Sequence, residues 1–228
     1  MERHFDEDLR DLEKRVLEMG ALCESMIQKA VKALIERNGD LTQEVFALEV
    51  EANRRHVEID EIAIKLIALH QPMARDLRTL AAAMKVNNDL ERIADMAVNA
   101  SQTGYYHLFN EPPVPEINMV THMAQVAQTM LRNALDAYAK RDTELAQRVL
   151  AQEKEEDRLK ARALKELISL IRTDPPRSEV FVDLILLSKN MERIGDHATN
   201  IAEDVVYMVL GKDIRHLPTV PDLDVAPR

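Results

Sequence analysis

The sequence predicts an all-α protein built as two tandem, pseudo-symmetric three-helix bundles, with six long helices running up-down-up in each half. Three observations predict it. Apolar residues recur at alternating steps of four and three over long stretches. Helix formers dominate, while glycine (5 of 228 residues) and aromatics (4%) are too scarce for a sheet protein. The chain also matches itself at a nearly constant offset.

The first helix follows from Phe5, Leu9, Leu12, Val16, Met19, Cys23, Met26, Ala30 and Ala33, a heptad seam along one face. It is expected to stop at Arg37-Asn38-Gly39-Asp40, with Gly39 as C-cap and Asp40 as the next N-cap. A second helix is expected over 41–69, with Val45, Leu48, Ala52, Ile59, Ile62, Leu66 and Leu69 on its inner face and Gln71-Pro72 as its breaker. A third is expected over 74–107. Asn110-Glu111-Pro112-Pro113-Val114-Pro115 then reads as a stiff, extended linker.

Shifted by 104 positions, Val16 falls on Val120, Met26 on Met130, Arg37 on Arg141, Leu41 on Leu145, Glu49 on Glu153 and Pro72 on Pro176. In the third helix the shift becomes 101, and Leu90-Glu91-Arg92-Ile93-Ala94-Asp95 matches Met191-Glu192-Arg193-Ile194-Gly195-Asp196. Shared polar residues and shared breakers go beyond what a common heptad produces. The expected units are residues 1–110 and 116–216, joined by the linker 111–115 and followed by a flexible tail, 217–228.

Composition narrows the function classes. A net charge of −10 disfavours phosphate backbones and suits cations or a basic partner, so no nucleic-acid partner is expected. Cys23 is the single cysteine, which suits a reducing compartment. No apolar run approaches the roughly 18–20 residues that span a bilayer, and the start, Met1 to Asp8, is too charged for a signal peptide. A cytoplasmic location without direct membrane insertion is expected.

Each third helix carries one polar stripe in an otherwise apolar segment. Glu91, Asp95 and Asn99 are spaced by four and stack on one face; Glu192, Asp196 and Asn200 repeat them, with Glu203 one turn further on. Like charges at this spacing repel by a few tenths of a kcal/mol. Arg92 and Arg193, as i+1 neighbours, are expected to point away from the stripe, which leaves a bound cation to offset the repulsion. The second helices add Glu49 with Asn53, and Glu153 with Asp157. If second and third helices pack antiparallel, each half gathers about four oxygen-bearing side chains, a donor set for hard ions such as magnesium, manganese, calcium or iron. Glu51, Arg54, Arg55, Glu58, Lys154, Glu155 and Glu156 read as ordinary surface charge around these pairs. His197 lies about 100° round the helix from Asp196, and His56 lies one turn beyond Asn53; both are weaker candidates. His4, His70, His107, His122 and His216 follow no ligand spacing.

The repeated Glu-Arg-Ile-(Ala/Gly)-Asp segments, the Glu49–Asn53 and Glu153–Asp157 pairs, Gln71-Pro72-Met73-Ala74-Arg75-Asp76-Leu77-Arg78 and Gly211-Lys212-Asp213-Ile214-Arg215-His216 together resemble the PhoU family over about residues 1–216. The resemblance implies a six-helix protein, usually a homodimer, with multinuclear iron or zinc sites on the acidic motifs. It implies a negative regulator of phosphate uptake and phosphate-starvation signalling, an adaptor between a phosphate ABC transporter and a membrane sensor histidine kinase. Asn53 departs from the aspartate of many relatives and supplies a neutral oxygen, so the first site should hold cations more weakly than the second.

Two other readings compete. A carboxylate-bridged metalloenzyme in a helical bundle would use Glu-x-x-His pairs, yet no histidine here has glutamate three residues before it. No phosphate-cradling glycine loop, Ser/His/Asp set or Cys/His pair replaces them, so an enzyme is not expected. The remaining alternative is a structural helical scaffold accompanying another phosphate permease.

Overall fold

The computed structural model describes residues 4–215. The tail expected over 217–228 and the reading of His216 lie outside the described residues. Within them every regular element is helical: α1 (His4–Glu36), α2 (Gly39–His70), α3 (Arg75–Thr103), a π-helical turn (Gly104–Leu108), α4 (Ile117–Lys140), α5 (Thr143–Thr173), a 3-10 turn (Pro175–Arg177) and α6 (Ser178–Leu210). Helices α1–α3 pack on one another, as do α4–α6, and the two bundles join through α3 against α6 and α1 against α4. The tandem-bundle prediction is borne out.

The heptad seam of α1 is buried from Phe5 to Ala33, and Val45, Ala52, Ile59 and Leu66 of α2 join the same core. Leu69 does not; it stands 65% exposed at the end of α2. Arg37 adopts the left-handed conformation that ends α1, and the Asn38 side chain caps α2 by accepting from the N–H groups of Asp40 and Leu41. The caps therefore fall two residues earlier than expected, because a short side-chain oxygen satisfies two otherwise orphaned donors better than a glycine stop does. The second half repeats the device with left-handed Arg141 and Asp142 capping α5.

The junction between bundles is antiparallel. On the α3 side the contacts run from Lys85 through Asp89 to His107, and their α6 partners run back from Asp204 through His197 and Asn200 to Asp183. Lys85 Nζ lies 3.1 Å from Asp204 Oδ1 and 5.0 Å from the Tyr207 ring centre. Asp204 is only 4% exposed, and burial raises its pKa against the pull of Lys85. Lys85→Met, which strands that carboxylate, is expected to lower the free energy of unfolding by about 2 kcal/mol. Urea unfolding checks this, and Asp204→Asn in the same chain should recover much of the loss.

At the α1–α4 contact, a Cβ on Gly20 would meet Leu135 Cδ1 at 2.6 Å, so this glycine lets the helices approach closely.

Candidate metal centre

The acidic residues predicted as ligands lie on α2, α3, α5 and α6. In the first half Glu91 and Asp95 are partly buried, Glu49 is partly buried, and Asn53 and Asn99 are exposed. Arg92 does not point away from the stripe as expected. Its long side chain bends back, placing Nε 3.3 Å from Glu91 Oε2 and NH1 3.2 Å from Asp95 Oδ2. A flexible three-carbon stem overrides the direction set by the Cα–Cβ bond. The first stripe thus already holds one cation of its own. Beneath it, the Cys23 thiol is fully buried and donates to the Leu90 carbonyl at 3.2 Å, and burial pushes its pKa up.

The second half is arranged differently. Lys160 of α5 is ion-paired with Glu192 of α6, which is buried. Asp196 keeps part of its side chain in solvent, yet partial burial and the neighbouring Glu192 push its pKa up to about 6, against Lys160. Asn200 Nδ2 donates to Asp89 Oδ1 at 3.1 Å, and His197 Nδ1 lies 2.8 Å from the same oxygen. These two residues are therefore turned toward the α3–α6 seam. Glu153 and Asp157 are exposed.

Glu153, Asp196, Asn200 and Glu203 line an open groove of ≈1040 Å³ along that seam, together with Lys85, Arg193, His197 and Arg215. Burial above all lifts Glu203 to about 7 there.

The acid that sequence reasoning missed is Glu156. It is not surface charge but 2% exposed. Its Oε1 is buried without a hydrogen-bond partner. Its carboxyl lies against Gly195 of α6, where a Cβ would overlap both carboxyl oxygens. Burial, reinforced by Asp196, Glu192, Asp157 and Glu153, pushes Glu156 up to about 9. The available signal was its spacing: Glu156 lies seven residues from Val149 and Ala163, both buried, and falls on the inner position Ala52 in the repeat.

The fit to a cation differs between the halves. In the second, five carboxylates repel one another and Lys160 is ion-paired with one of them, Glu192, so an oxygen-seeking ion fits. In the first, Asn53 replaces a carboxylate and Arg92 supplies positive charge, so the donor set is poorer. Among the described residues no three His, Cys, Asp or Glu side chains are already gathered in ligating geometry.

The sequence pattern of the PhoU domain matches residues 16–103 and again 120–205. The chain belongs to the PhoU family. It is 37% identical over 216 residues to the phosphate-specific transport system accessory protein PhoU homolog of Pseudomonas aeruginosa, covering 94% of this chain and 89% of that protein. The protein of the same description from Zymomonas mobilis is 36% identical, covering 92% and 88%. A crystal structure of PhoU from Pseudomonas aeruginosa superposes with a TM-score of 0.89 at 36% identity, covering 92% of this chain and all of that one. The two PhoU domain matches fall on α1–α3 and α4–α6, the halves that the internal repeat delimits.

Proposed function

We propose that this chain is a metal-binding helical adaptor that restrains phosphate uptake and phosphate-starvation signalling, placed between a phosphate ABC transporter and a membrane sensor histidine kinase. The observation that carries the reading is the double PhoU-domain match together with high-coverage relatives named as accessory proteins of the phosphate-specific transport system. Accessory proteins work by contact. Val50, Val57 and Ile64 stand exposed seven residues apart along the outer side of α2, and Leu69, Met73 and Leu77 are exposed around the α2–α3 turn. Exposed apolar patches of this kind mark interaction sites. No helix among the described residues is long and apolar enough to cross a membrane, so contact with a membrane complex would be by docking. A cytoplasmic homodimer belongs to the same proposal. Deleting the gene is expected to raise expression of phosphate-starvation genes in phosphate-replete cells. Unchanged expression in that experiment would overturn the reading.

In this reading Glu49, Asn53, Glu91, Asp95 and Asn99 would hold ions in the first half, and Glu153, Asp157, Glu192, Asp196 and Asn200 in the second. A bound iron, zinc, magnesium or manganese ion would supply positive charge that ties neighbouring helices together. The chain's own part is to hold the oxygens on rigid helices and, through Lys160, to offset some of their repulsion while the site is empty of other cations. Because Asn53 contributes one neutral oxygen and Asp157 a charged carboxylate, Asp157→Asn should cost more bound metal than Asn53→Ala. Elemental analysis of natively purified protein reads this out, and equal losses would count against the asymmetry.

A further inference from the structure

We infer that Glu156 is an inner ligand for a hard divalent cation, seated in a buried, oxygen-lined layer beneath the second acidic stripe that the first half does not have. The inference rests on the reading that the stripes hold cations.

It starts from the register of α5 against α6. Lys160 meets Glu192 and Glu156 meets Gly195, so the helices run antiparallel and one turn further along Gln152 comes level with Thr199. Three oxygens of this layer, Gln152 Oε1, Glu156 Oε1 and Thr199 Oγ1, are buried without hydrogen-bond partners. Glu156 and Thr199 are each more than nine-tenths buried. Orphaned buried oxygens are costly, and three on two successive turns of one helix–helix interface call for a partner.

The internal repeat supplies an independent comparison. The positions equivalent to Gln152, Glu156, Gly195 and Thr199 are Leu48, Ala52, Ala94 and Val98. Four apolar residues close the layer in the first half, and Ala52, Ala94 and Val98 are buried there. In the second half all four change together: three become oxygen-bearing, and the fourth loses its Cβ, which makes the room that the Glu156 carboxyl occupies. The fold therefore packs well without polarity at this level, and the polar set is not needed to build the bundle.

Among the described residues no side chain forms an ion pair with Glu156. Lys160 is committed to Glu192. A carboxylate, an amide carbonyl and a hydroxyl are the donor types of magnesium-, manganese- or calcium-class ions, without the thiolate or imidazole that zinc favours.

The probe is manganese(II) alone, titrated into metal-free full-length protein, with the free ion read by electron paramagnetic resonance. Glu156→Gln keeps the shape of the side chain. Glu156→Ala with Gly195→Ala copies the packing of the first half, so circular dichroism should report folded protein for both. Both are expected to weaken the tightest manganese binding by at least about ten-fold. Wild-type affinity in either folded variant, alongside a loss in Asp157→Asn, overturns the inner ligand and leaves the stripe site standing. Failure of the wild-type protein to bind manganese removes the stripe reading and this inference with it.

Discussion

Gly195→Ala should destabilise the protein by about 1–3 kcal/mol, the usual cost of overpacking a close contact, and a second substitution, Glu156→Ala, should reverse it. The single added methyl group has nowhere to go, because both oxygens of the Glu156 carboxyl fill the space in front of Gly195. The carboxyl cannot swing away cheaply either. It is 2% exposed and lies among the carboxyl groups of Asp196, Glu192, Asp157 and Glu153. The double variant replaces the glutamate–glycine pair by the alanine pair that Ala52 and Ala94 already form at the equivalent level of the first half. Both of those alanines are buried and untroubled. In urea unfolding the coupling between the two substitutions should therefore be large, of order 2 kcal/mol and of the rescuing sign. Simple addition of the two single effects would mean that the carboxyl does not sit where the structure places it.

The metal-free protein should become less stable as pH rises from about 5 to 9. Glu156 is raised from its ordinary 4.5 to about 9, first by burial and then by its acidic neighbours. Glu203 and Asp196 move the same way, to about 7 and about 6, again with burial leading. For each group the folded chain binds its proton more tightly than the unfolded chain does. The stabilising contribution is thus complete below the unfolded pKa and is lost as pH climbs toward the folded one.

Between pH 6 and 8 the unfolded chain has already released the Glu156 proton while the folded chain retains it. The slope should approach about 1 kcal/mol per pH unit in that window. Glu156→Gln, which has no proton to lose, should flatten the slope and leave the metal-free protein more stable than wild type at pH 8. Denaturant unfolding at a series of pH values checks both statements. A slope that Glu156→Gln leaves intact would move the origin of the effect to other acids. Added manganese should restore stability at pH 8 in the wild type by binding the folded state alone.

Much of this molecule could be read before its coordinates. Residues Phe5 to Ala33 form a buried seam because alternating steps of four and three return to one side of a helix every turn. The breakers at Pro72 and Pro176 separate the same elements in both halves, since a ring at the backbone nitrogen removes a donor and clashes inside a helix. The acidic stripes were legible for the same geometric reason. Details that depend on how a flexible side chain bends were not. Arg92 returns to its own stripe, and Asn38 rather than Asp40 caps α2.

Local sequence determined the helices, the internal repeat and the two acidic motifs, all of which follow from spacing along one chain segment. Spacing even singles out Glu156 among the acids of its turn, seven residues from buried Val149 and Ala163 and equivalent to Ala52 in the first half. Tertiary structure alone decided that a carboxyl could be housed there: Gly195, some forty positions away, leaves room for it on α6, and the space available to a buried side chain is set by its neighbours in the fold, not by its neighbours in the chain.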